Sequence, residues 1–221
     1  MNQLLELNSV YQMDALEGLR MLADDSVDIV ITDPPYGVRK KEEWDRLLYF
    51  LENLEKWLTE CYRVSKYGVI WFCADKMLPY IFDITEKNKI EFHRMLIWNK
   101  PPGSQYAGAM HNKLWYSLEP ILVFSKTSEL LKIKDAPSYG YATFDARTVP
   151  KKKYGHPTTK PLELMEWLVL HYTREGFTVC DPFSGSGSTL VACAKHNRNF
   201  IGFELQQEYV EIAKSRLENV S

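Results

Sequence analysis

Three features of this 221-residue sequence predict an α/β fold organised around a mostly parallel sheet. Short apolar, β-branched runs alternate with longer stretches of helical periodicity, the pattern of sheets whose strands are joined by helices. Near the C-terminus a strand, a glycine-rich turn, a helix and a second strand follow one another between Phe177 and Phe203, as in a mononucleotide-binding unit. Near the N-terminus Asp33-Pro34-Pro35-Tyr36 closes another strand, at the end where open α/β sheets hold their ligands.

The elements follow in order. Val27–Thr32 is a strand that ends at Asp33-Pro34. Leu47, Leu48, Leu51, Leu54, Leu58 and Cys61 recur near helical spacing and predict a long amphipathic helix over Trp44–Val64. Gly68–Phe72, Glu91–Trp98 and Pro120–Phe124 read as further strands. From Lys126 to Gly155 periodicity fades while Pro, Gly, Tyr and Lys accumulate, so this stretch reads as loop or a small inserted subregion. Pro161 stands near the start of a helix through Arg174, since its fixed φ suits a first helical turn. Phe177–Cys180 is a strand running into the glycine turn, Ser188–His196 a helix, Phe200–Phe203 a strand and Gln207–Glu218 a closing helix. No repeat interrupts this order, and the length fits one domain.

Composition excludes several classes. No stretch approaches the roughly 20 apolar residues that span a bilayer, and Met1–Glu6 lacks the basic-then-apolar build of a signal peptide. A cytoplasmic protein without a membrane partner is expected. Cys61, Cys73, Cys180 and Cys193 form no C-x-x-C pair and have no flanking histidine clusters, so no metal is expected. Cys180 and Cys193 lie in apolar runs and read as small core residues. A formal net charge of −2 argues against coating nucleic acid through charge alone. The charge is nevertheless uneven: Lys126–Lys160 holds eight basic residues against three acidic ones, whereas Met1–Val30 holds six acidic residues against Arg20. One basic flank on an acidic body points to a localised contact with a polyanion.

The turn Asp181-Pro182-Phe183-Ser184-Gly185-Ser186-Gly187-Ser188-Thr189 follows a strand and opens a helix. Gly185 and Gly187 permit a tight turn and close approach of a ligand to the helix N-terminus. Glu204 ends the next strand, 17 residues beyond Gly187, about where a carboxylate meets ribose hydroxyls. With no third glycine at the dinucleotide spacing and no G-K-[ST], a dinucleotide or nucleoside triphosphate is disfavoured. In Asp33-Pro34-Pro35-Tyr36 two prolines make a stiff loop with carbonyls free to accept hydrogen bonds. Asp33 adds a strong acceptor and Tyr36 a flat stacking surface. A carboxylate and a carbonyl at that loop suit an exocyclic amine on a nucleobase. Its nitrogen, a poor nucleophile because its lone pair enters the ring, gains from acceptors that favour a pyramidal geometry and developing positive charge.

In this order the motifs resemble the β group of amino-methyltransferases of DNA, in which an Asp/Ser-Pro-Pro-Tyr motif precedes the cofactor motif. The match runs through Asp14-Ala15-Leu16, Asp25–Gly37, Trp98-Asn99-Lys100, Glu119–Lys126, His156–Pro161, the glycine turn and Ile201–Glu204. The resemblance implies a Rossmann-like S-adenosylmethionine-dependent methyltransferase fold, with a seven-stranded, mostly parallel sheet and a circularly permuted motif order. It implies S-adenosyl-L-methionine as cofactor and double-stranded DNA as substrate, with the target base flipped from the helix. By the same resemblance Asp33, Pro34, Pro35 and Tyr36 are catalytic. Asp14, with Ala15 beside it, would meet the cofactor's adenine and Glu204 its ribose. The turn from Asp181 through Phe183, Gly185, Gly187, Ser188 and Thr189 would hold its methionine moiety, with Thr158, Thr159 and Lys160 lining that end.

In this group the target-recognition segment lies between the Glu119–Lys126 and His156–Pro161 stretches, here about 127–155 and coincident with the basic segment. Lys132, Lys134, Lys151, Lys152 and Lys153 are candidate phosphate contacts and Arg147 a candidate base reader. Tyr139, Tyr141, Phe144 and Tyr154 are candidates to wedge or stack, and the Pro101–Trp115 loop to approach the flipped base. So small an insert implies a short recognition site or help from a second subunit, and the family often forms homodimers. An aspartate at position 33, where cytosine-N4 enzymes more often carry serine, favours adenine N6 over cytosine N4. A catalytically silent cofactor- or DNA-binding module is the alternative of another class.

Overall fold

The computed structural model of the chain describes residues 5–36, 47–101, 117–128 and 142–220. Its strands are β1 (Ser9–Gln12), β2 (Val27–Thr32), β3 (Ser65–Phe72), β4 (Phe92–Asn99), β5 (Leu118–Ser125), β6 (Thr143–Asp145), β7 (Thr178–Asp181) and β8 (Asn199–Glu204). Its helices are α1 (Ala15–Met21), α2 (Leu47–Val64), α3 (Leu78–Lys87), α4 (Lys151–Tyr154), α5 (Leu162–Tyr172), α6 (Ser188–Lys195) and α7 (Gln207–Glu218). The strands form one sheet in the order β1-β8-β7-β2-β3-β5-β4-β6. Every neighbouring pair is parallel except β3–β5 and β4–β5, so β5 alone among these strands runs against the rest.

Seven strands carry the expected mostly parallel sheet. An eighth, the three-residue β6, comes from the segment read as loop and pairs with the last residues of β4 at the sheet edge. The central strands read as unbroken apolar runs because helices cover both faces. Ile29, Ile31, Ile70 and Phe72 point to one side, where Leu164, Leu168, Leu190 and Val210 of α5, α6 and α7 pack. Val30, Val69, Trp71 and Phe203 point to the other, against Leu19 of α1, Leu54, Trp57 and Leu58 of α2 and Ile81 of α3. Cys180 and Cys193 are buried core residues, as expected.

Five elements escape the periodicity reading, and for a common reason. β1 buries only Val10, α3 only Ile81 and Thr85, and α4 no residue at all. The seven-residue α1 and three-residue β6 are likewise too short for a period to develop. Arg63 compensates for the shortness of α1. From α2 it donates to the carbonyl oxygens of Leu19 at 2.9 Å and Leu22 at 3.0 Å, satisfying acceptors at the end of α1.

α1 also reaches the sheet through Gly18, where an added Cβ would lie 2.6 Å from the fully buried ring of Phe203. That ring has no room to retreat in a close-packed core. Gly18→Ala should therefore destabilise the fold by about 1–3 kcal/mol, lowering the thermal midpoint by roughly 2–10 °C. Thermal unfolding followed by circular dichroism checks this, and an unchanged midpoint would show that α1 can lift off β8 at no cost.

Candidate active site

The chain leaves β7 toward β8 on one side and β2 toward β3 on the other, so β7 and β2 flank the topological switch point of the sheet. A crevice opens at the carboxyl ends of strands at such a point. Here the two strand ends are tied together: Thr32 Oγ1 donates to Asp181 Oδ1 at 2.9 Å. Asp181 also accepts from Phe183 N at 3.2 Å and, through Oδ2, from Thr189 Oγ1 at 2.5 Å. Its carboxyl group therefore faces inward, knitting the glycine turn to β2. Burial pushes its pKa up to about 6, against the pull of these hydrogen bonds.

Beyond Asp181 the turn is shaped by two left-handed glycines. Gly185, at φ +50°, brings the backbone under His156, whose Nε2 lies 3.2 Å from where a Cβ would stand. Gly187, at φ +79°, packs against Ala213 of α7, where a Cβ would meet Ala213 Cβ at 2.8 Å. Glu204 at the end of β8 accepts from Gly185 N and Gln206 N, both at 2.9 Å, so two backbone donors hold its carboxylate in one orientation. Burial raises its pKa, and those donors work in the opposite direction. Asp14 follows β1, beside β8, and caps α1 by accepting from Leu16 N at 2.9 Å and Glu17 N at 3.2 Å through Oδ1. Ala15 begins α1 and is buried, and Phe183 packs edge-on against Trp57 at 5.1 Å.

The His156–Pro161 segment lies over this turn. Thr159 Oγ1 is 2.9 Å from Ser186 Oγ, and Ser188 Oγ donates to Lys160 O at 2.9 Å. Thr158 is exposed, whereas Thr159 and Lys160 are buried. Arg216 of α7 donates to Ser186 O at 2.6 Å and stacks over Tyr154 at 4.2 Å. Arg216 lies in no motif, and Tyr154, a candidate to wedge or stack, packs against it here.

Asp33 stands just past β2 with both oxygens engaged. Tyr36 OH donates to Oδ1 and Lys160 Nζ to Oδ2. The Tyr36 hydroxyl is also 2.9 Å from Glu119 Oε1. Lys160 Nζ lies 3.2 Å from that same oxygen, and Lys100 Nζ donates to Glu119 Oε2 at 2.7 Å. Rings of Tyr36, Phe72 and Trp98 lie 5.0–5.8 Å from the Lys160 ammonium. Two carboxylates and two ammonium groups thus meet in an aromatic box. Burial works against the charge of Lys160, but Asp33 and Glu119 outweigh it and hold the ammonium above its usual pKa. Burial likewise pushes on Glu119, yet Lys160 and Lys100 leave it below its usual value. Burial, with Glu119 adding to it, leaves Asp33 above the usual carboxylate range despite Lys160. Lys160 therefore points to Asp33 and Glu119, a placement its position in sequence does not reveal. Glu119 and Lys100, also unanticipated as site residues, reach the box from β5 and from beyond β4.

Of the basic segment, Arg147 and Lys151, Lys152 and Lys153 are exposed. Phe144 packs on Trp167 with ring centroids 5.2 Å apart, a local contact. Lys132, Lys134, Tyr139, Tyr141 and nearly all of the Pro101–Trp115 loop lie outside the described residues. Among the described residues no helix is long and apolar enough to cross a membrane, and no group of three or more His, Cys, Asp or Glu is placed to hold a metal.

The switch-point crevice thus carries an oriented carboxylate on one wall and a buried cluster of two carboxylates and two ammonium groups on the other, the kind of site a group-transfer enzyme needs. Residues 27–215 match the DNA methylase model of the N6/N4 methyltransferase family, and the chain belongs to that family. It is 32% identical over 234 residues to the type II methyltransferase M.HpaI of Haemophilus parainfluenzae, covering 93% of this chain and 73% of that protein. It is 26% identical to the DNA adenine methyltransferase YhdJ of Escherichia coli K12, over 98% of this chain and 84% of the relative. The solved complex of M1.HpyAVI with S-adenosylmethionine superposes with a TM-score of 0.72 at 30% identity, covering 95% of this chain and 98% of that one. This protein is an S-adenosylmethionine-dependent methyltransferase acting on DNA. Its crevice fits that cofactor by chemistry: the Glu204 carboxylate, held in one orientation by Gly185 N and Gln206 N, is the kind of acceptor a ribose diol needs.

The inward carboxyl of Asp181 makes stability depend on pH. Its folded pKa of about 6 lies above the ordinary 3.8, so the folded state holds the proton more tightly than the unfolded chain. This contribution is fully present below pH 3.8 and is lost as pH rises through 6. Relative to Asp181→Asn, wild type should lose roughly 2–3 kcal/mol between pH 4 and pH 7. Urea unfolding of both proteins across that range checks the sign, and a flat difference would contradict it.

Proposed function

We propose that this enzyme methylates the N6 amine of an adenine flipped out of duplex DNA. The observation that carries this reading is the Asp33 carboxylate at the switch-point crevice, held between Tyr36 and Lys160. When bound, S-adenosylmethionine supplies an electrophilic methyl group on a sulfonium centre. Asp33 accepts a hydrogen bond from the target amine, and the Pro34 carbonyl, on a loop stiffened by Pro35, accepts a second. Together they draw the nitrogen lone pair out of conjugation and stabilise the positive charge that grows there. The ring of Tyr36 stacks on the base. Burial makes Asp33 a better proton acceptor than an exposed aspartate, which suits a group that must take the proton the amine sheds.

The cofactor's adenine meets Asp14 and Ala15, its ribose Glu204. Its methionine end meets the turn from Asp181 through Phe183, Gly185, Gly187, Ser188 and Thr189, with Thr158, Thr159 and the backbone of Lys160 on the opposite side. Residues 127–155 form a target-recognition insert within a single domain, in which Lys151, Lys152 and Lys153 contact phosphates and Arg147 reads a base. A second copy of the chain would extend so small an insert across a duplex site. Adenine is supported over cytosine N4 by aspartate in place of serine at position 33 and by the relative named a DNA adenine methyltransferase.

Three measurements test this reading. Sequencing of modified bases in DNA from cells expressing the protein should find N6-methyladenine at one short site. N4-methylcytosine would overturn the base assignment, and no transfer from labelled cofactor to duplex DNA would favour the silent module. Asp33→Ala should lower the transfer rate by at least about a hundred-fold while calorimetry finds cofactor affinity unchanged; lost affinity would mean that Asp33 serves the cofactor. Replacing Lys151, Lys152 and Lys153 with Gln should weaken duplex binding and reduce the slope of log K against log salt by about one to three. An unchanged slope would move the DNA elsewhere.

A further inference from the structure

Glu119 performs no step in the transfer described above, yet both its oxygens are committed inside the site. It reaches there because β5 runs against its neighbours: the first residues of β5 emerge where the parallel strands end. Lys100 follows β4, and its backbone N donates to Ser117 O at 2.7 Å, just ahead of Glu119. Glu119 is 7% exposed, with Tyr36 OH and Lys160 Nζ at Oε1 and Lys100 Nζ at Oε2.

The Tyr36 hydroxyl has one proton and two carboxylates within reach, Asp33 Oδ1 and Glu119 Oε1. It can donate to only one at a time. A target amine arriving at Asp33 brings its own donors and needs lone pairs that Tyr36 and Lys160 occupy. Each of those two groups already has Glu119 Oε1 as a second acceptor. With Lys100 fixing its other oxygen, Glu119 can receive them without swinging.

Resting on the reading of Asp33 as the amine's acceptor, we propose that Glu119 is a positioning residue of the methyl transfer. Its carboxylate takes over the Tyr36 hydroxyl and shares the Lys160 ammonium, and so releases Asp33 to the amine of the target base. No bond is made or broken at Glu119, and its charge does not change during the step.

A double-mutant cycle tests this, because the share of the role exerted through the Tyr36 hydroxyl must vanish with that hydroxyl, leaving only the share exerted through Lys160. Glu119→Gln keeps the shape of the side chain, and Tyr36→Phe keeps the stacking ring. Single-turnover rates are measured on whichever duplex the wild-type enzyme methylates, with cofactor and duplex affinities and thermal midpoints recorded alongside. Glu119→Gln should slow transfer roughly ten- to a hundred-fold, the span of one charge-assisted hydrogen bond. Both affinities should change less than about two-fold, well within the weight of a single neutral hydrogen bond. In the Tyr36→Phe background the same substitution should cost at least about three-fold less than in wild type, a coupling outside the additivity of independent sites. Equal losses in the two backgrounds, or no loss in wild type, would overturn the proposal, as would a loss that tracks cofactor or duplex affinity. Glu119→Gln leaves two ammonium groups with fewer anions; if it does not fold, Glu119→Gln with Lys100→Gln removes one charge of each sign and enters the same cycle. Failure of the underlying reading is separately visible: it would appear as persistent transfer in Asp33→Ala, whatever the cycle gives.

Discussion

The arrangement of this site depends on the pairing of buried charge. An isolated ammonium moved out of water costs several kcal/mol, and a carboxylate as much. Lys160 enters an aromatic box only because Asp33 and Glu119 meet it there, and Lys100 answers the second carboxylate. Two positive and two negative groups balance, and removing any one leaves a partner exposed to the same penalty. That condition binds together segments far apart in sequence: the loop after β2, the start of β5, the end of β4 and the stretch leading into α5.

Lys160 carries the linkage further. Its side chain grips Asp33, while its carbonyl oxygen accepts from Ser188 at the start of α6. One residue thereby spans the distance from the Asp33–Tyr36 loop to the glycine turn, and Thr159 repeats the attachment through Ser186. A second tie, between Thr32 and Asp181, joins the same two regions from the floor of the crevice. Methyl transfer requires donor and acceptor to be aligned within tenths of an ångström, and near-attack geometry of that kind is worth several kcal/mol of the barrier. The ties through Lys160, Thr159 and Thr32 hold the two segments at the switch point in one fixed relation.

How much of this could be read from residues alone follows from the range over which each signal acts. Strands buried on both faces announce themselves as apolar runs, so β2, β3, β5 and β8 emerge within a few residues of their bounds, and α7 at its bounds, Gln207–Glu218. Asp33, Asp181 and Glu204 are legible because each ends a strand beside a proline or glycine signal, and parallel strands deliver their last residues to one edge. Glu119 obeys the opposite rule. It begins a strand, 86 residues after Asp33, and reaches the edge only because β5 is reversed. Direction of pairing is a property of the sheet and is absent from the alternation of any one strand. Lys160 was legible as a site residue, but its direction was not, because a long side chain can serve either neighbour of its backbone.

The end of β4 shows how the two halves of the molecule's task are brought together. Trp98 donates through Nε1 to Ala146 O at 2.8 Å, and Asn99 Nδ2 to Asp145 Oδ1 at 2.9 Å, fastening β6 and the chain leading to Arg147. Lys100, the next residue, turns instead to Glu119. Three successive residues, the last two of β4 and the one after it, thus secure the β6 segment with two side chains and the buried charge cluster with the third. A displacement of the segment carrying Arg147 would be felt at Asn99 and passed through a single peptide unit to Lys100. The β6 strand, though only three residues long, therefore helps to fix where the basic surface stands relative to the buried charge cluster.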